Sequence, residues 1–186
     1  MEFRMWGRMT CLVLSVGALA IAIPARAQSK AAKIASALAA APASVSQGAT
    51  VKDLPDSKRE MAVLRAGSNG WVCVPSHPKS KYVKNDAMCL DDQWQEWMSA
   101  MAANRAPHIT RVGYAYMLTA NEWASNTDMK ATAPTPDNQW HKAGPHVMVL
   151  YPDAKLVDAL PKRPSTSGPY VMAAGTPYAH VMWNIR

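Results

Sequence analysis

Phenylalanine is almost absent from this chain: Phe3 is the only one in 186 residues. Cysteine is scarce too, with three, and no Cys-x-x-Cys pair occurs. No two histidines stand four apart, so the helical His pair of many zinc sites is missing as well. The chain has no Gly-x-Ser-x-Gly elbow, no phosphate loop and no dinucleotide fingerprint. Those absences remove the enzyme signatures that a sequence alone can carry. Basic residues never run further than Lys58-Arg59 or Lys162-Arg163, and no basic stripe is interleaved with aromatics. That speaks against nucleic acid as a partner. No apolar stretch reaches the roughly twenty residues of a membrane-spanning helix.

What is present begins with an address. Arg4 and Arg8 precede an apolar run from Met9 to Ile23, then Pro24 and the small-x-small triplet Ala25-Arg26-Ala27. Positive start, short apolar core and small-residue site are the order of a cleavable signal peptide, here residues 1–27. Cleavage would remove Arg4, Arg8, Arg26 and Glu2 and lower the formal net charge from +7 to +5. The expected location is periplasmic or extracellular, with no transmembrane span after cleavage.

The remaining 159 residues predict one α+β domain over 49–186. Residues 28–48, rich in Ala, Ser and Lys, read as a flexible tail with some helical tendency. Cys11 leaves with the leader. Cys73 and Cys89 remain, and two thiols in an oxidising compartment are expected to pair as a structural disulfide, the competing readings being a metal pair or a nucleophilic cysteine, which both need reduced thiols. The chain-entropy model values a loop of that length at about 3 kcal/mol.

Periodicity supplies the elements. Met61–Ala66 and Trp71–Val74 around Gly67-Ser68-Asn69-Gly70 predict a β-hairpin. Residues 92–104 predict the main helix, with Asp92 and Gln95 as a capping box. Trp94, Trp97, Met98 and Met101 lie at i, i+3, i+4 and i+7 on one face. A mainly antiparallel sheet is expected to pack against that Trp/Met stripe. Arg111–Thr119 predicts a strand with Val112, Tyr114, Tyr116 and Leu118 on one face. Residues 121–142 read as a long polar loop. Strands are expected near 146–151, 169–173 and 178–185, with a short second helix over Asp153–Leu160 capped by Asp153. The strand entries echo one another: Gly144-Pro145-His146-Val147-Met148, Gly168-Pro169-Tyr170-Val171-Met172 and Thr176-Pro177-Tyr178-Ala179-His180-Val181-Met182.

Gly70-Trp71-Val72-Cys73, Met88-Cys89-Leu90-Asp91, Trp94, Trp97, Ser125-Asn126-Thr127-Asp128, Gly144-Pro145-His146 and Gly175-Thr176-Pro177-Tyr178-Ala179-His180 together resemble a family of small exported bacterial proteins with no established function. The resemblance covers residues 61–186. It implies one domain with the tail outside it, and no activity.

Three chemistries compete. The leading expectation is a non-enzymatic envelope domain that binds a ligand or a protein partner. A metal reading rests on His146-Val147-Met148 and His180-Val181-Met182. Residues two apart on a strand share a face, so each segment would offer an imidazole and a thioether together. His146, Met148, His180 and Met182 would then suit copper. Zinc held by His146, His180 and Asp128 or Asp137 is a weaker variant. A small hydrolase is the third reading, with Ser125 or Thr127 of the 121–142 loop working with His146 or His180. His77, His108 and His141 read as solvated. The six Trp, six Tyr and nine Met beyond residue 27 read as core, with an aromatic ligand platform as the functional alternative.

Overall fold

The computed structural model describes residues 28–185, so the predicted signal peptide lies outside the described residues. The architecture is mixed and dominated by strands. Helices α1 (Lys30–Leu38), α2 (Ala43–Ser46) and α3 (Asp92–Ala102) accompany eleven strands. These are β1 (Thr50–Lys52), β2 (Val63–Arg65), β3 (Val72–Val74), β4 (Val83–Asn85), β5 (Met88–Leu90), β6 (Gly113–Met117), β7 (Asn121–Ser125), β8 (Trp140–Ala143), β9 (His146–Leu150), β10 (Tyr170–Met172) and β11 (His180–Asn184). Eight form one sheet in the order β10-β11-β9-β6-β5-β3-β1-β2, and β4-β7-β8 form a second. Every pairing is antiparallel except β1 with β3. Among the described residues no helix is long and apolar enough to cross a membrane.

The expected hairpin over 61–74 is not closed on itself. β1 inserts between β2 and β3, pairing with both. The turn wraps the chain before β1: the Ser68 and Asn69 N–H groups donate to the Gly48 carbonyl, and the Gly67 N–H donates to Thr50 Oγ1. A Cβ at Gly67 would lie 2.2 Å from the Ala49 carbonyl carbon, so only glycine permits this approach.

The 28–48 segment is also corrected. Ser29 caps α1 by accepting from the Ala32 N–H, Lys33 pairs with Asp53 at 2.6 Å, and Ala37 and Ala40 are fully buried. The segment packs on one face of the large sheet, over Val51, Cys73 and Cys89. Its alanines hid this, because a small-residue face carries little hydropathy contrast yet allows close packing. Beneath it Cys73 and Cys89, direct cross-strand neighbours on β3 and β5, form the expected disulfide.

α3 covers the opposite face. Its cap is Asp91, not Asp92: Asp91 accepts from the N–H groups of Trp94 and Tyr114 at 3.0 and 2.7 Å. Burial raises the Asp91 carboxyl above its usual range. Asp92 is exposed and pairs with Arg111. β6 alternates as expected, but the face that joins the main core is Ala115 and Met117, while Tyr114 is exposed and Tyr116 packs beside the disulfide on the α1 side. Trp94 and Trp97 pack with Leu90, Met148, Leu150, Met172 and Met182 there. The 121–142 segment is a loop only over 126–139, since its two ends form β7 and β8. The second helix is a single 3-10 stretch, Ala154–Val157, with Asp153 capping as expected.

Candidate functional site

Between α3, the large sheet and the small sheet lies a cavity of about 490 Å³. Its lining is unusual in one respect. Met98 and Met101 enter it from α3, Met117 from β6, Met148 from β9, Met172 from β10 and Met182 from β11. Met88 and Met129 complete the wall. Eight of the nine methionines beyond residue 27 therefore meet in one space; only Met61, 36% exposed, stands elsewhere. Trp94, Trp97, Trp123 and Trp140 join them.

His146 and His180 are both in this wall, and both are almost fully buried. The echo in the sequence is an echo in geometry. His146 Nδ1 lies 2.7 Å from the Gly144 carbonyl, and His180 Nδ1 lies 3.0 Å from the Tyr178 carbonyl, each two residues upstream. A carbonyl only accepts, so each Nδ1 carries the proton and each Nε2 keeps its lone pair. Burial lowers the basicity of both rings. For His180 burial brings the value down to about 4, with the His146 charge acting in the same direction and the Tyr178 carbonyl opposing. Both imidazoles are thus neutral at physiological pH. His180 Nε2 is buried and has no hydrogen-bond partner among the described residues, and the same holds for Trp94 Nε1. The Trp94 and Trp97 rings meet the His180 ring edge to face, at 5.1 and 5.5 Å between centroids.

The four residues expected to hold copper share one face and one cavity, but not one point. Register sets Met148 directly opposite Met182, and His146 opposite Asn184. The two histidines flank that methionine pair in opposite directions along antiparallel strands. Four residues of strand then separate them, about 14 Å between Cα atoms. The structure instead sets Met172 of β10 directly opposite His180. Among the described residues, no group of three or more His, Cys, Asp or Glu side chains is placed to hold a metal ion.

At the more exposed end of the cavity stands a charged group carried by the chain on either side of β4 and by β7. His77 Nδ1 lies 2.7 Å from Asp86 Oδ2, and Asp86 Oδ1 accepts from Ser76 Oγ and the His77 N–H. Burial would raise the Asp86 carboxyl, but these bonds hold it below its usual range. The bond to Asp86 raises His77. Glu122, beside them on β7, has no hydrogen-bond partner among the described residues. Burial, reinforced by the Asp86 charge, pushes its carboxyl up to about 7.

Ser125 lines the same cavity, yet its Oγ accepts from the N–H groups of Thr127 and Asp128 and so closes a turn. Neither His146 nor His180 is hydrogen-bonded to Ser125 or Thr127 among the described residues, and Thr127 is exposed. His141 is not solvated as expected. Its Nε2 lies 2.9 Å from Tyr170 Oη, and burial pushes that phenol up to about 12. Sequence reasoning passed over Met172, Glu122 and the His77–Asp86 pair. The excess of methionine with no phenylalanine was the available signal for the cavity.

No protein-family model, curated protein or solved structure matches this chain.

Proposed function

We propose that this chain is an exported binding protein that holds a small, mainly apolar ligand in the cavity between its two sheets. The convergence of eight methionines on one space carries this reading. A core built only for stability is filled to crystal-like density, preferably with side chains of well-defined rotamer. Methionine is the unbranched, polarisable alternative that adapts its shape to what it contacts. The volume falls within the range of small-molecule sites, and the wall combines an apolar majority with a few polar residues. His180 and Trp94, both in that wall, each bury a polar atom, Nε2 and Nε1, that has no hydrogen-bond partner among the described residues. Each such buried atom costs about 1–3 kcal/mol. The leader and the disulfide support export. The protein partner and the hydrolase of the sequence reading have no comparable observation behind them.

The test is a fluorescence titration with N-phenyl-1-naphthylamine, a small apolar probe. Saturable binding is expected, with energy transfer from the cavity tryptophans. Filling the space with Ala124→Trp should abolish it while circular dichroism stays native. Unsaturable binding, or equal binding by the filled variant, would remove the cavity from consideration.

A further inference from the structure

We propose that the inner end of this cavity, at His180, Met172 and Met182, is a site for a soft monovalent metal ion, Cu(I). This rests on the cavity-binding reading in that it uses the same space, and it adds an ion at one end of it. His180 and Met172 are direct cross-strand partners, and Met182 is two residues from His180 on the same strand. All three side chains leave one face of the sheet. Cross-strand partners on one face have Cβ atoms about 5 Å apart, and alternate residues of a strand stand about 7 Å apart. Two flexible thioethers and one imidazole therefore emerge within reach of a common point.

The imidazole is prepared as a ligand. The Tyr178 carbonyl takes its Nδ1 proton, at 3.0 Å, which fixes the tautomer that presents Nε2. A backbone carbonyl in that position is the usual outer partner of a metal-ligating histidine. Nε2 itself is buried without a partner in a side chain only 2% exposed. Met172 and Met182 are 5% and 2% exposed, so an ion among them loses its water.

The donor set also selects the ion. One imidazole and two thioethers are soft and uncharged, which suits Cu(I) and its analogue Ag(I). A divalent ion would bring two charges to three ligands none of which is anionic, and burying unpaired charge is costly. Trp94 and Trp97 stand against the His180 ring, and the electron-rich faces of indole favour a nearby cation. The site differs from the two His-x-Met segments taken together: it replaces His146 and Met148 with Met172, which the strand register brings to His180.

The experiment uses the mature protein with its disulfide intact. Ag(I) is titrated first, as a redox-inert probe followed by tryptophan fluorescence. Cu(I) is then presented anaerobically against bicinchoninate. One tightly held ion per chain is expected, with nitrogen and sulfur scatterers in X-ray absorption. Met172→Leu/Met182→Leu conserves volume and apolarity, so the fold should survive, yet affinity should fall by more than about a hundredfold. His180→Gln should lose the nitrogen scatterer and the affinity, and Met61→Leu should change neither. Failure of the wild-type protein to withdraw Cu(I) from bicinchoninate overturns the proposal. So does undiminished binding by the double leucine variant, or equal affinity for Zn(II). Naphthylamine titration of the same samples separates the two ideas: probe binding without copper binding removes the metal site and leaves the cavity reading standing.

Discussion

The two ends of the cavity handle ionisable groups in opposite ways. At the inner end His180 sits among Trp94, Trp97, Met172 and Met182, and burial strips it of charge. At the outer end His77 and Asp86 support each other, His77 raised and Asp86 lowered. Burial alone does not decide the matter. Asp86 is buried and stays ionised because three protein groups bond to its carboxylate, whereas Glu122 beside it lacks such bonds and rises to about 7. One end is a dry, soft surface, and the other holds a histidine and a carboxylate that stabilise each other's charge.

The sharpest way to break this comparison is to cut a side chain from each end. Trp94→Ala removes an indole 1% exposed and should lower the unfolding free energy by about 3–5 kcal/mol in urea titrations. Trp123→Ala at the mouth, where the ring is 42% exposed, should cost less than about 1 kcal/mol. Equal losses would mean that the inner end is no better packed than the rim.

Acid distinguishes the ends next. His180 holds a proton less readily in the fold, about 4 against an ordinary 6.5, so the unfolded chain binds more protons between those values. Stability is therefore complete above pH 6.5 and declines as pH falls toward 4, by roughly 2–3 kcal/mol. His180→Gln should flatten that limb, read from urea midpoints at pH 7.5 and 4.5. A limb of unchanged steepness would place the acid sensitivity elsewhere.

Glu122 produces the opposite slope. Its folded value of about 7 exceeds the ordinary 4.5, so the fold favours the protonated carboxyl and loses stability as pH rises through 7. Glu122→Gln should be more stable than the parent by about 2 kcal/mol at pH 8.5 and equal to it at pH 4. Equal stability at both values would show that water or a counter-ion already reaches this carboxylate.

Several of these features were legible in the sequence for definite reasons. The Trp/Met stripe of α3, the three C-terminal strands and the Cys73–Cys89 bridge each depend on local periodicity or on a small count, and each is present. What escaped depends on contacts distant in the chain. β1 lies between two strands that look like a hairpin because the 67–70 turn closes around Gly48 and Thr50. Met172 becomes the neighbour of His180 through antiparallel register, which spacing along one strand cannot express. β7 and β8 read as loop because their exposed faces carry Asn121, Trp123 and Lys142, and polar composition hid the pairing. The histidine and methionine segments were found; how they divide was not.

The bridge between β3 and β5 has a kinetic consequence. Both cysteines are fully buried, and Cys89 Sγ lies 3.5 Å from the Ala37 carbonyl under α1. Thiol–disulfide exchange needs an attacking thiolate to reach a sulfur atom. That path is shut while the first helix stays seated, so reduction can run no faster than the helix lifts. The crosslink works as a clock for detachment of a nine-residue segment, and its sensitivity to reductant measures how firmly that segment is held.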